Sequence, residues 1–135
     1  GKYYYKDEYN EGVTPYVSAS DMNNGVQSFI DIEPRYKGNA LTIGKVGCTT
    51  FYQPDDFCAT SDVTILSPII DFNKFIGLFM ATVINQERYK WNFGRQIRLG
   101  DSMELIVKLP VDSTGKPDWT FMENYIKSLK FSDNI

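Results

Sequence analysis

Histidine is missing from this 135-residue chain, and cysteine occurs only twice. The first absence removes a histidine general base, every Ser-His-Asp or Cys-His nucleophile site, and histidine metal ligands. The second leaves too few thiolates for a zinc site. The spacing of Cys48 and Cys58 would allow a disulfide across a hairpin. In a chain without secretion signals we read both as reduced and buried, which points to the cytoplasm. No apolar run approaches the roughly 18 residues of a membrane span, and no charged-then-apolar leader opens the chain. Positive charge is not in excess either, since 14 Lys and Arg face 17 Asp and Glu, for a net charge of −3 and an isoelectric point near 4.9.

What is present fits one packed domain spanning residues 1–135, with 42% hydrophobic and 15% aromatic residues. A chain of this length buries roughly two-thirds of its unfolded surface, enough to fold without a metal or a disulfide. It begins abruptly at Gly1-Lys2-Tyr3-Tyr4-Tyr5, which suggests a domain excised from a larger protein.

The first half reads as short strands broken by turns. Tyr3 to Tyr5, Thr14 to Ser18 and Val26 to Ile30 are β-rich, with Asn24-Gly25 as a turn signal between the last two. Leu41 to Val46, Thr49 to Gln53 and Val63 to Leu66 continue the pattern, and Pro54-Asp55-Asp56 marks a surface turn. Gly44 and Gly47 bracket Lys45-Val46 and suggest a bend where backbone comes close to something else. The period then changes. Phe72, Phe75, Ile76, Phe79, Met80, Val83 and Ile84 recur at helical spacing, predicting a helix capped by Asp71, running to about Glu87, with its apolar stripe against a sheet. Glu104 to Leu109 alternates as a returning strand, Asp112 to Pro117 is a polar turn, and a short helix follows with Met122, Tyr125, Ile126 and Leu129 on one face.

Between the first helix and the returning strand lies Arg88-Tyr89-Lys90-Trp91-Asn92-Phe93-Gly94-Arg95-Gln96-Ile97-Arg98, eleven residues holding four cations, three aromatics and two amides. Cations interleaved with rings and amides suit a polyanion with edges to read, as nucleic acid is. The same residues also suit a solvated loop whose aromatics plug a core. Two further segments are ambiguous in the same way. Pro15 to Val26 packs small hydroxyls and amides around a turn, a set that bonds phosphates or bases and also serves any Asx-type turn. Gly44 to Thr50 can present backbone N–H groups to an anion or form an ordinary hairpin, and it lacks the ending of a P-loop.

No catalytic set assembles. Glu87 and Lys90 are three apart and Glu104 and Lys108 four apart, neither fitting the Asp/Glu-x-Lys spacing of a metal-dependent nuclease. A methyltransferase would carry a glycine-rich cofactor loop and an Asn/Asp-Pro-Pro-aromatic signature, and neither is present. A standalone nuclease is therefore disfavoured, and neither cofactor nor metal is expected.

Taken in order, these pieces resemble a target recognition domain from the specificity subunits of type I restriction-modification systems and related type IIB and IIG enzymes. The resemblance runs over nearly the whole chain. It rests on Pro15-Tyr16-Val17-Ser18-Ala19-Ser20 with Asn23-Asn24-Gly25-Val26, on Gly38 to Ile43, and on Phe51-Tyr52-Gln53 through Phe57 to Val63. It continues through Tyr89 to Arg95, Leu109-Pro110, and Gly115 to Trp119 with Met122 to Ile126. The resemblance implies a mixed α/β domain of the α+β kind, a twisted mixed sheet with a packed amphipathic helix and a short C-terminal helix. It implies sequence-specific recognition of one half of a split double-stranded DNA target, without chemistry of its own. Methylation and cleavage then fall to methyltransferase and restriction subunits or fused equivalents, and no membrane is involved. The acidic balance departs from a broadly basic DNA reader and implies a localised stripe, with the methyltransferase supplying much of the phosphate affinity. On this reading Lys90, Arg95 and Arg98 meet phosphates or guanine edges, with Arg88 on the same surface. Lys45 and Thr49 contact the DNA backbone, and Ser18, Ser20, Asn23 and Asn24 line the groove. Trp91 is expected to sit partly in the core, because alternation on an extended segment turns the rings one way and the charges the other. The competing reading is a scaffold domain whose aromatic loop docks a methyltransferase subunit without touching DNA.

Overall fold

Alternation of buried and exposed positions builds the first strand pair of the computed structural model, which describes residues 1–45, 47, 49–87 and 108–129. In β1 (Glu11–Val17), Thr14 and Tyr16 turn inward, and in the antiparallel β2 (Val26–Ile30) Ile30 does so while Gln27 and Phe29 face outward. The β3 strand (Ala40–Gly44) runs between β4 (Thr50–Gln53) and β6 (Val63–Leu66), antiparallel to both. The two-residue β5 (Cys58–Ala59) joins the other side of β1 in parallel. The result is two three-stranded sheets, β2-β1-β5 of mixed direction and β4-β3-β6 wholly antiparallel.

Every residue of β3 is buried, because the strand is covered on both faces. Leu41 and Ile43 pack with Tyr52, Ala81 and Ile84 beneath the first helix. Ala40 faces the other way and packs with Val17, Phe57, Ala59 and Val63. A third cluster of Tyr16, Ile30 and Cys58 closes the outer side of the first sheet under Tyr4, Tyr9 and Ile32. Cys58 is a free, buried thiol donating to the Glu33 carbonyl at 3.4 Å, as expected, whereas Cys48 lies outside the described residues. Tyr16 accepts the Tyr4 backbone N–H at 2.8 Å, and burial pushes its phenol pKa above the ordinary value.

Helix α1 (Lys74–Glu87) begins two residues later than an Asp71 cap would place it. Asn73 caps it instead, its Oδ1 accepting from Phe75 and Ile76 N–H at 3.0 Å each, while its Nδ2 donates to Glu123 at 2.8 Å. One amide thus satisfies the helix start and ties it to the second helix, which the acceptor-only Asp71 cannot do. Ile76 and Ile84 are buried as the stripe predicts. Gly77 lies so close to β4 that a Cβ there would come within 2.2 Å of the Tyr52 ring. Near the other end, Asn85 pairs with Thr50 in both directions, accepting its N–H at 2.7 Å and donating to its carbonyl at 2.9 Å.

Helix α2 (Trp119–Ser128) is capped by Asp118, which accepts from Phe121 N–H at 2.9 Å. Met122 and Ile126 are buried as expected, but Tyr125 and Leu129 remain exposed, Tyr125 meeting Phe79 of α1 edge-on at 5.9 Å. The polar turn before it is organised by Asp112, whose Oδ1 accepts from Thr114 N–H at 2.8 Å and Lys116 N–H at 3.2 Å. Tyr3 to Tyr5 do not form a strand. The chain bends into a 3-10 turn at Lys6–Glu8, where the Glu8 carboxylate accepts the Tyr5 N–H at 2.6 Å, so local capping overrides β propensity. Residues 104–107 of the expected returning strand lie outside the described residues.

Candidate nucleic-acid interface

The eight residues 18–25 that join β1 to β2 form a loop tied down at nearly every position. At its base Ser18 N–H donates to the Gly25 carbonyl at 2.8 Å, and Gly25 N–H donates to the Met22 carbonyl at 2.9 Å. Asn23, Asn24 and Gly25 follow one another with φ of 52°, 57° and 78°, a left-handed run that asparagine and glycine tolerate better than other residues. Ser20 is half-buried, and its Oγ accepts the Met22 N–H at 3.2 Å.

Two side chains fasten this loop to the second sheet. Asp21 accepts from the buried Thr49 hydroxyl at 2.5 Å, beside Gly47, whose φ is +80°. Asn24 Nδ2 donates to the Tyr52 carbonyl at 2.9 Å and to Gln53 Oε1 at 3.3 Å, and Gln53 Nε2 returns a bond to the Asn24 carbonyl at 2.9 Å. Gln53 is itself 2% exposed and also donates to Thr42 Oγ1 at 3.0 Å, so a buried amide serves as the anchor. The two polar segments that are ambiguous one at a time therefore form a single surface.

The expected site residues divide by what their polar atoms already do. Asn24 and Thr49 are spent on the fastening. Lys45 donates from Nζ to the Ser61 carbonyl at 2.6 Å, with its backbone N–H on the Asp62 carbonyl at 2.8 Å. Ser18 and Ser20 are half-buried at the loop base, and Asn23 is exposed. Arg88, Lys90, Arg95 and Arg98, with Trp91 among them, lie outside the described residues. The fastening residues Asp21, Gln53 and Asn85 were missed from sequence. A glutamine closing a β-rich run directly after Phe51-Tyr52 was the one local hint, since buried amides need partners.

Charge differs between the ends of the β1–β2 pair. At the far end, Asp31, Glu33, Asp55 and Asp56 line a cleft with Val13 and Phe29, an environment that repels a polyanion. Gly38 N–H at 2.7 Å, helped by Lys37, holds the Asp56 carboxyl below its usual pKa, so it stays charged. The seven residues of β1 put roughly 20 Å between that end and the loop. Among the described residues no three His, Cys, Asp or Glu side chains converge on a metal site, and no helix is long and apolar enough to cross a membrane.

The family model for the type I restriction modification DNA specificity domain matches residues 1–135. The chain is 31% identical over 129 residues to the specificity subunit S.BcgI of a type II restriction enzyme from Heyndrickxia coagulans. That match covers 93% of the chain and 38% of the subunit. Among solved structures, the S subunit of a type I restriction-modification system from M. genitalium superposes with a TM-score of 0.60 at 22% identity, over 79% of this chain and 30% of that one. The chain thus spans well under half the length of either protein, and the fold is shared with the second.

Proposed function

The chain belongs to the type I restriction modification DNA specificity domain family, and from that premise we propose that it reads one half of a split double-stranded DNA target. In this proposal it directs methylation and cleavage performed by methyltransferase and restriction subunits or fused equivalents, in the cytoplasm, with no catalysis of its own. The observation that carries the reading is the hydroxyl- and amide-rich loop 18–25, clamped to the second sheet through Asp21–Thr49 and Asn24–Gln53. Groups held in advance lose little freedom on binding and keep the register that base reading requires. An acidic far end and a polar loop end also give the domain one sensible approach to DNA.

Ser18, Ser20 and Asn23 are assigned to the groove-facing side. Arg88, Lys90, Arg95 and Arg98 are assigned to phosphates or guanine edges, and Lys45 to a backbone phosphate its ammonium can reach from the Ser61 carbonyl. Asn24 and Thr49 act through the loop they hold.

Duplex binding at varied salt tests this. Neutralising about four phosphates predicts a log–log slope of roughly −3 to −4, and Arg95→Ala with Arg98→Ala reduces it by up to about two. A slope and affinity untouched by the double substitution refute the cation assignment. Failure to enrich any sequence from a randomised duplex pool refutes the function.

A further inference from the structure

Along the clamped loop, Asp21 and Asn24 are committed to the second sheet, the Ser20 hydroxyl accepts within the loop and keeps only its own proton to offer, and Gly25 is buried. Met22 and Asn23 are different. The Met22 backbone is held on both sides, its N–H by Ser20 and its carbonyl by Gly25, yet its side chain is 71% exposed. The Asn23 carbonyl accepts from Val26 N–H, its φ is 52°, and its amide is exposed with no hydrogen-bond partner among the described residues. A rigid backbone therefore displays one thioether and one amide, side by side, at the loop tip.

Those two groups match a particular surface. In the major groove adenine offers an acceptor at N7 and a donor at N6, which an asparagine amide satisfies with two bonds, and the paired thymine offers a methyl group. The methionine side chain is apolar, polarisable and adaptable, and suits a methyl contact. A lone exposed methionine would need no explanation. Here it stands immediately before a left-handed turn fixed by several hydrogen bonds, next to an uncommitted amide.

Building on the DNA-reading function above, we propose that Met22 and Asn23 are specificity-determining residues that together read an adenine–thymine pair. Asn23 bonds adenine N6 and N7, and Met22 packs on the C5 methyl of the paired or adjacent thymine. Neither residue contributes to phosphate affinity.

The test uses the full chain and the duplex it enriches from a random pool. Each thymine is replaced in turn by deoxyuridine, which removes only the methyl. The wild type loses about fourfold in affinity at one position, the equivalent of one buried carbon. Met22→Ala becomes indifferent to uracil there, and Met22→Leu keeps the sensitivity. Asn23→Gly, which tolerates the positive φ, lowers the preference for adenine–thymine over guanine–cytosine at that step by roughly tenfold or more. All variants keep the wild-type salt slope and melting temperature. A flat uracil scan, an enriched site without an adenine–thymine pair, or variants that retain the wild-type preference overturn the proposal while leaving DNA reading intact. No DNA binding by the wild type overturns both.

Discussion

Replacing Gly77 by alanine sets two effects of known size against each other. In a helix interior alanine is favoured over glycine by roughly 1 kcal/mol. Against this, the new Cβ would lie 2.2 Å from Tyr52 Cδ1 and 2.5 Å from Cε1. Carbon atoms rest at roughly 3.5–4 Å, so ring or helix must move by more than about 1 Å. Tyr52 is poorly placed to yield, because it packs with Leu41, Ala81 and Ile84 and its hydroxyl donates to Asn39 at 2.8 Å. Asn39 in turn donates to the Phe72 carbonyl at 2.7 Å, just before α1 begins. Overpacking costs about 1–3 kcal/mol, and a broken hydrogen bond about 1 more. Gly77→Ala is therefore expected to destabilise by roughly 1–3 kcal/mol, lowering the urea midpoint at unchanged m. Tyr52→Leu should absorb part of that loss, so the double variant costs less than the sum of the single ones. A Gly77→Ala protein as stable as the parent, or more so, would mean that helix propensity wins and that the approach to Tyr52 is not tight.

Thr49→Val removes the hydroxyl that holds Asp21, at a cost of about 1 kcal/mol after allowance for the exposure of the carboxylate. Amide exchange should speed up across residues 20–25 and sequence discrimination should fall; unchanged exchange there would show that the bond does not order the loop. The stability of the domain should also decline at high pH through Tyr16. An unfolded phenol gives up its proton near pH 10, whereas burial makes the folded one retain it. Stability is thus full below about pH 10 and falls as pH rises from there towards the folded value. Tyr16→Phe should flatten this part of a denaturation-versus-pH curve, and an equally steep decline would assign it to other groups.

Local pattern was enough for elements that carry their own signal. Val26 to Ile30 and Val63 to Leu66 are strands with the bounds the sequence suggests, and the apolar period that begins at Phe72 marks α1, with Ile76 and Ile84 as its buried members and Phe75, Phe79, Met80 and Val83 half-buried. The β5 strand was not legible, because two residues have no period and become a strand only by parallel pairing with β1. The β3 strand stops at Gly44, two residues before Val46, since Lys45 N–H turns to the Asp62 carbonyl. Asp71 and Asn73 are equally good caps on local grounds, and Glu123 on another helix favours Asn73. The site followed the same division. Its polar residue types were visible in sequence, but the union of its two segments rests on Asp21 and Thr49, 28 positions apart.

The pairing of Asn85 with Thr50 has a mechanical meaning beyond its two bonds. A carboxamide offers one donor and one acceptor, the same outfit as a peptide unit, so Asn85 imitates a neighbouring strand at the open margin of β4. An occupied margin is closed to strand addition by another chain at that point. The match also acts as a key: turning α1 by one residue swings the amide by about 100° and breaks both bonds together. Rotation and height of the helix are thereby indexed to the sheet. The bearing of α1 is thereby registered to β4, the strand whose Gln53 holds the clamped loop.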